Sequence, residues 1–169
     1  MASARTYDQL AYSVLGGAVA TVTFSSISGS YTDLQLVVSS TNATAPTFLG
    51  IYFNGDTATN YSYRYLKGDR TSVTGGSTQT SASLVLAQST ESTTTPSLMV
   101  VDVFQYANTT PYKTVIAQHA SDQSASGGVT VSCGLWRNTA AITSITIRNN
   151  NSYNFNVGST FALYGIKSA

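Results

Sequence analysis

The sequence predicts an all-β fold: an antiparallel two-sheet sandwich, jelly-roll-like, with about nine to eleven strands in a single domain spanning 1–169. Three observations predict it. Apolar residues recur with a period of two in run after run, and a helical period is absent. Short clusters of Gly, Asn, Asp, Ser and Pro punctuate these runs. Glu91 is the only glutamate, while Ser and Thr, which suit turns and strands, fill almost three positions in ten.

The elements follow in order. Val22 and Phe24 alternate with threonines, and Leu34, Leu36 and Val38 alternate with Asp33, Gln35 and Val37. Phe48 to Phe53 is apolar throughout, as in a strand buried on both faces. Asn54-Gly55-Asp56 is the strongest turn signal and predicts a hairpin. Tyr61, Tyr63 and Tyr65 share one strand face, opposite Ser62, Arg64 and Leu66. Lys67 to Thr80, with Gly75-Gly76 as turn glycines, reads as an exposed loop.

Ser81 to Gln88 is expected to be a strand, Ser89 to Pro96 a turn and Leu98 to Tyr106 a strand. Asn108 to Pro111 is a turn, Thr114 to Ala120 a strand and Ser121 to Gly128 a loop. Val129 to Leu135 alternates cleanly, and places Val129, Val131, Cys133 and Leu135 inward. Ile142 to Arg148 follows with Ile145 and Ile147 inward, and Asn149 to Ser152 breaks it. Thr160 to Lys167 closes the chain with Phe161 and Leu163 on one face. An immunoglobulin-like sandwich is the second choice, weakened by length and by the lack of a cysteine pair.

Charged residues make up 9% of the chain and the net charge is +1, so nothing points to nucleic acid or an anionic membrane. No run approaches the length of a membrane-spanning helix. The N-terminal Met1-Ala-Ser-Ala-Arg-Thr lacks the layout of a signal peptide, which predicts synthesis in a cytoplasm without processing. The single cysteine, Cys133, forms no intrachain disulfide and is expected to be a buried, inert thiol.

Catalytic chemistry is expected to be absent. His119 is the only histidine, at the end of the run Val115, Ala117, His119, and reads as structural or solvent-facing; a Cys133–His119 dyad exists only on paper. The seven acids, Asp8, Asp33, Asp56, Asp69, Glu91, Asp102 and Asp122, are scattered singly, whereas glycoside hydrolysis needs a convergent pair. Asp102, set among Val100, Val101, Val103 and Phe104, is expected at an edge or in a structural hydrogen bond. No metal site, phosphate loop or cofactor motif is present in the sequence; calcium at Asn54-Gly55-Asp56 is weighed and set behind a plain turn.

Aromatic residues are the better lead. Eleven tyrosines and one tryptophan are present, and such side chains serve both protein interfaces and carbohydrate sites. Tyr61, Tyr63, Tyr65 and Trp136 are the candidate interface residues. Alternation sets Trp136 on the face of Thr130 and Ser132, where a core residue is not expected. Either the strand end turns the ring back over the core, or the ring anchors a subunit contact.

The segments Val22-Thr-Phe24, Tyr31-Thr-Asp33-Leu34, Phe53-Asn54-Gly55-Asp56, Gly134-Leu-Trp136 and Phe161-Ala-Leu-Tyr164-Gly165-Ile166 resemble those of small virion structural proteins of tailed bacteriophages. The resemblance runs from Tyr7 to Lys167 apart from the loops around Gly75 and Ser124. It implies a β-sandwich on the phage particle, as capsid decoration or as part of a tail or fibre, and brings no catalytic residues. The expected function is therefore that of a capsid decoration, or cement, protein. It would be made in the host cytoplasm, carried on the virion as a homotrimer, and bound to the major capsid or another virion protein. The alternative is a tail or fibre adhesin for host cell-surface carbohydrate. A glycan hydrolase is the remote third.

Overall fold

A computed structural model describes residues 6–43, 48–87, 92–122, 127–149 and 153–167. Among these there are twelve strands and no helix: β1 (Tyr7–Val14), β2 (Thr21–Phe24), β3 (Asp33–Ser40), β4 (Leu49–Phe53), β5 (Tyr61–Gly68), β6 (Val73–Ser81), β7 (Leu84–Val85), β8 (Ser97–Val103), β9 (Lys113–Asp122), β10 (Gly127–Trp136), β11 (Ile145–Asn149) and β12 (Thr160–Ile166). They form two antiparallel sheets, β1-β12-β3-β8-β9-β10-β5-β6 and β2-β11-β4-β7.

The pairing is nested. β1 pairs with β12, β2 with β11, β3 with β8 and β4 with β7, as if one long hairpin had been drawn from the chain. Rolling that hairpin brings β12 onto β3 and β11 onto β4. This is the double Greek key of a jelly roll. Two insertions complete the larger sheet. The hairpins β5–β6 and β9–β10 add four strands beyond β8, with β10 pairing across to β5.

The core lies between the sheets. Leu34, Leu36 and Val38 of β3, Met99, Val101 and Val103 of β8, and Phe161 and Leu163 of β12 meet Ile51 and Phe53 of β4 and Ile145 and Ile147 of β11. β4 is buried on both faces except for the half-buried Tyr52, as its unbroken apolar run predicts.

Several sequence expectations need correction. Lys67 to Thr80 is not a loop. It holds the end of β5 and most of β6, an edge strand. Solvent reaches both faces of β6, so no apolar alternation marks it. Gly75 and Gly76 lie within the strand rather than at a turn. The strand expected from Ser81 shrinks to Leu84–Val85, and Gln88 lies outside the described residues. Residues 89–91, 123–126 and 150–152, within predicted turns, also lie outside them. Tyr7–Val14 is a further strand, unmarked in the sequence because its exposed positions carry Tyr7, Tyr12 and Val14.

Asn54-Gly55 is a turn but not a hairpin. Both residues have positive φ (52° and 69°), and the Asp56 N–H donates to Phe53 O at 2.8 Å. The chain leaves β4 in the smaller sheet here and enters β5 in the larger one.

Candidate functional site: the outer face of the larger sheet

The predicted aromatic interface faces inward. Tyr61 and Trp136 are directly opposed across β5 and β10, with ring centroids 6.3 Å apart and planes 13° from parallel. Phe53 lies 5.5 Å from the Trp136 ring. Tyr61 is fully buried and Trp136 is 1% exposed, so neither offers a surface platform. Tyr63 and Tyr65 share their strand face and are half-buried; the Tyr65 ring lies over Gly76 of the neighbouring strand. Burial pushes the Tyr61 phenol well above its ordinary pKa, although its oxygen accepts the Phe53 N–H.

Trp136 is in the core because the alternation of β10 runs opposite to expectation. Its inward residues are Thr130, Ser132, Gly134 and Trp136, and its outward ones Val129, Val131 and Cys133. The cause is close approach. The segment following β7 crosses directly beneath β10, where Ser132 Oγ donates to Leu86 O at 2.8 Å. A Cβ at Gly134 would stand 2.6 Å from Leu84 Cδ2. Only small side chains fit there, and the Ser132 hydroxyl finds a backbone partner, so the face that looks polar in sequence is the core face. Cys133 is therefore exposed, not buried as expected. His119 is buried on the inner face of β9, so the two residues of the paper dyad lie on opposite faces of the sheet.

Four of the acids are spent singly on structure. Asp102 sits on interior strand β8, not at an edge, and its Oδ1 accepts Gln35 Nε2 at 2.7 Å. Asp33 accepts the Gln105 N–H at 2.7 Å. Asp69 accepts the backbone N–H groups and hydroxyls of Thr71 and Ser72, which hold its pKa down to about 2. Asp56 accepts Trp136 Nε1, Asn60 Nδ2 and the Ala58 N–H. Burial alone would raise its pKa, but these hydrogen bonds outweigh it and the net shift is downward. Among the described residues no group of three His, Cys, Asp or Glu side chains could hold a metal.

The inner face of β9 also buries Lys113, whose Nζ donates to Pro111 O at 2.8 Å and Thr139 O at 3.0 Å. Burial lowers its pKa, and the ammonium ties two loops at one end of the roll.

What remains open is the outer face of the added strands. Val73 (72% exposed), Val129 (62%), Leu66 (58%) and Val131 (55%) form an aliphatic strip with Leu98. Register makes it continuous: Val131 faces Leu66, Val129 faces Gly68 and Ala120, and Leu98 faces Ala120. The strip occupies the half of the face near the hairpin ends.

The other half carries a cleft of about 300 Å³ lined by Ser62, Arg64, Ser77, Gln79, Thr114 and Cys133, among others. Sequence reading missed this face because it assigned Val129, Val131 and Cys133 to the core. The signal available was the glycine at 134, which marks close approach by another segment. Comparison with protein-family models, with curated proteins and with solved structures returns no match.

Proposed function

We propose that this chain is a structural protein of a bacteriophage particle, a decoration domain that binds the assembled head and bridges its subunits. The observation that carries the reading is the aliphatic strip of Leu66, Val73, Val129 and Val131, which the described residues leave exposed on the outer face of the larger sheet. The jelly-roll topology, an architecture used by viral capsid domains and by lectins, supports it. So does the resemblance of the strand-and-turn segments to phage virion proteins. A lattice repeats one weak contact many times, so a modest aliphatic patch suffices for firm attachment. Sites of local three-fold symmetry make a homotrimer the proposed assembly.

Purified virions test the reading. Decoration predicts lattice-matching stoichiometry, on the order of hundreds of copies per particle on a stained gel. A Val129→Asp, Val131→Asp double variant that keeps its fold should no longer attach. A few dozen copies would favour the second reading, an adhesin for cell-surface carbohydrate, which the Arg64 cleft favours. Absence from the particle would exclude both.

A further inference from the structure

We propose that the Arg64 cleft binds a carboxylate-bearing sugar, such as a uronic acid residue of an acidic glycan. Three observations on one patch of β5, β6, β9 and β10 carry it.

The first is an unspent cation. The guanidinium of Arg64 is exposed and makes no hydrogen bond or ion pair among the described residues. Its cross-strand neighbours are Cys133 and Ser77, neither of them charged. Asp102, in the same cross-strand row, lies three strands away, about 14 Å at ordinary strand spacing, and is held by Gln35. Three other basic side chains are already engaged: Lys113 and Arg137 on backbone carbonyls, Lys167 over the Tyr31 ring. A planar guanidinium matches a carboxylate through two parallel hydrogen bonds.

The second is the surround. The side chains of Ser62, Ser77, Thr114 and Gln79 also line the cleft and make no hydrogen bond within the described residues. Three hydroxyls and an amide around one cation suit a ligand that carries several hydroxyls beside its acid. An aspartate or glutamate side chain would use the cation and leave these groups idle.

The third is shape. The cleft, at about 300 Å³, is at the small end of ligand sites and suits one pyranose ring. Leu135, half-buried, and the Cys133 thiol give it an apolar patch for the C–H face of the ring. The aliphatic strip adjoins the cleft: Leu66 is two residues from Arg64 and Val131 two from Cys133, about 7 Å along each strand. Sugar binding is read by titration of the free chain and attachment by copy number on the particle, so failure of the one leaves the other reading standing.

The experiment titrates the full ¹⁵N-labelled chain with methyl β-D-glucuronide, methyl β-D-glucoside and N-acetylglutamate N-methylamide. The glucuronide is expected to move the Arg64 side-chain resonance and the amides of Ser62, Ser77 and Cys133. The glucoside, lacking the carboxylate, should bind at least about tenfold more weakly. Arg64→Gln, at an exposed position, should keep its melting temperature and lose the response. Glucuronide should also slow alkylation of Cys133 in the wild-type protein, a readout that needs no variant. Absence of glucuronide shifts, equal binding of the glucoside, or unchanged binding by Arg64→Gln overturns the proposal. A glutamate derivative that binds as tightly as the glucuronide overturns the sugar assignment in favour of a peptide carboxylate.

Discussion

Trp136 Nε1 donates to Asp56 Oδ2 at 2.7 Å, and this bond joins the final residue of β10 to the crossover between the two sheets. Tyr61 reinforces it, donating from its hydroxyl to Asp56 O at 3.0 Å while accepting the Phe53 N–H at 3.0 Å. One carboxylate and two rings thus fix where the chain passes from the rolled hairpin to the added strands.

Removing the large ring should be costly. Trp136→Ala is expected to lose about 3–5 kcal/mol of stability, as buried large-to-small changes do. Trp136→Phe retains much of the packing but leaves Asp56 short of a donor, and should lose about 1–3 kcal/mol. Denaturant unfolding of both variants measures this. A Trp136→Ala protein of wild-type stability would contradict the core placement.

Acid should loosen the same joint. The folded pKa of Asp56 lies below its ordinary value of 3.8, so the folded state binds its proton less readily than the unfolded chain. Its stabilising contribution is present in full above that ordinary value and is lost as pH falls through the lower folded value. Asp56→Asn should flatten the stability–pH curve in this acid range. Urea titrations at stepped pH, wild type against variant, give the comparison.

Gly134 should not tolerate a methyl group. Its Cβ would fall 2.6 Å from Leu84 Cδ2, and Leu84 is itself fully buried and has nowhere to retreat. Gly134→Ala is expected to cost about 1–3 kcal/mol through overpacking. Gly134→Ala combined with Leu84→Ala should cost less than the sum of the two singles, because the cavity of one takes the methyl of the other.

The thiol of Cys133 should react in the native state. It is exposed on the outer face of β10, so a water-soluble thiol reagent should titrate one equivalent per chain without denaturant. Reaction only after unfolding would restore the inward alternation that the valines suggest.

Local periodicity determined much of this molecule. Leu34, Leu36 and Val38 face the core as their alternation requires, as do Phe161, Leu163, Ile145 and Ile147, because these strands pack against facing apolar strands. The positive-φ turn at Asn54-Gly55 was equally legible, since few other residue pairs accept that backbone at low cost. What the sequence left open was decided by contacts between distant segments. Which face of β10 is inward depends on Leu84 and Leu86 passing beneath Ser132 and Gly134, close enough to exclude valine. β6 exists because an open sheet edge supplies hydrogen-bond partners to a chain with no apolar pattern of its own. The Arg64 cleft needs β5, β6, β9 and β10 side by side, an adjacency set by the roll and invisible along the chain.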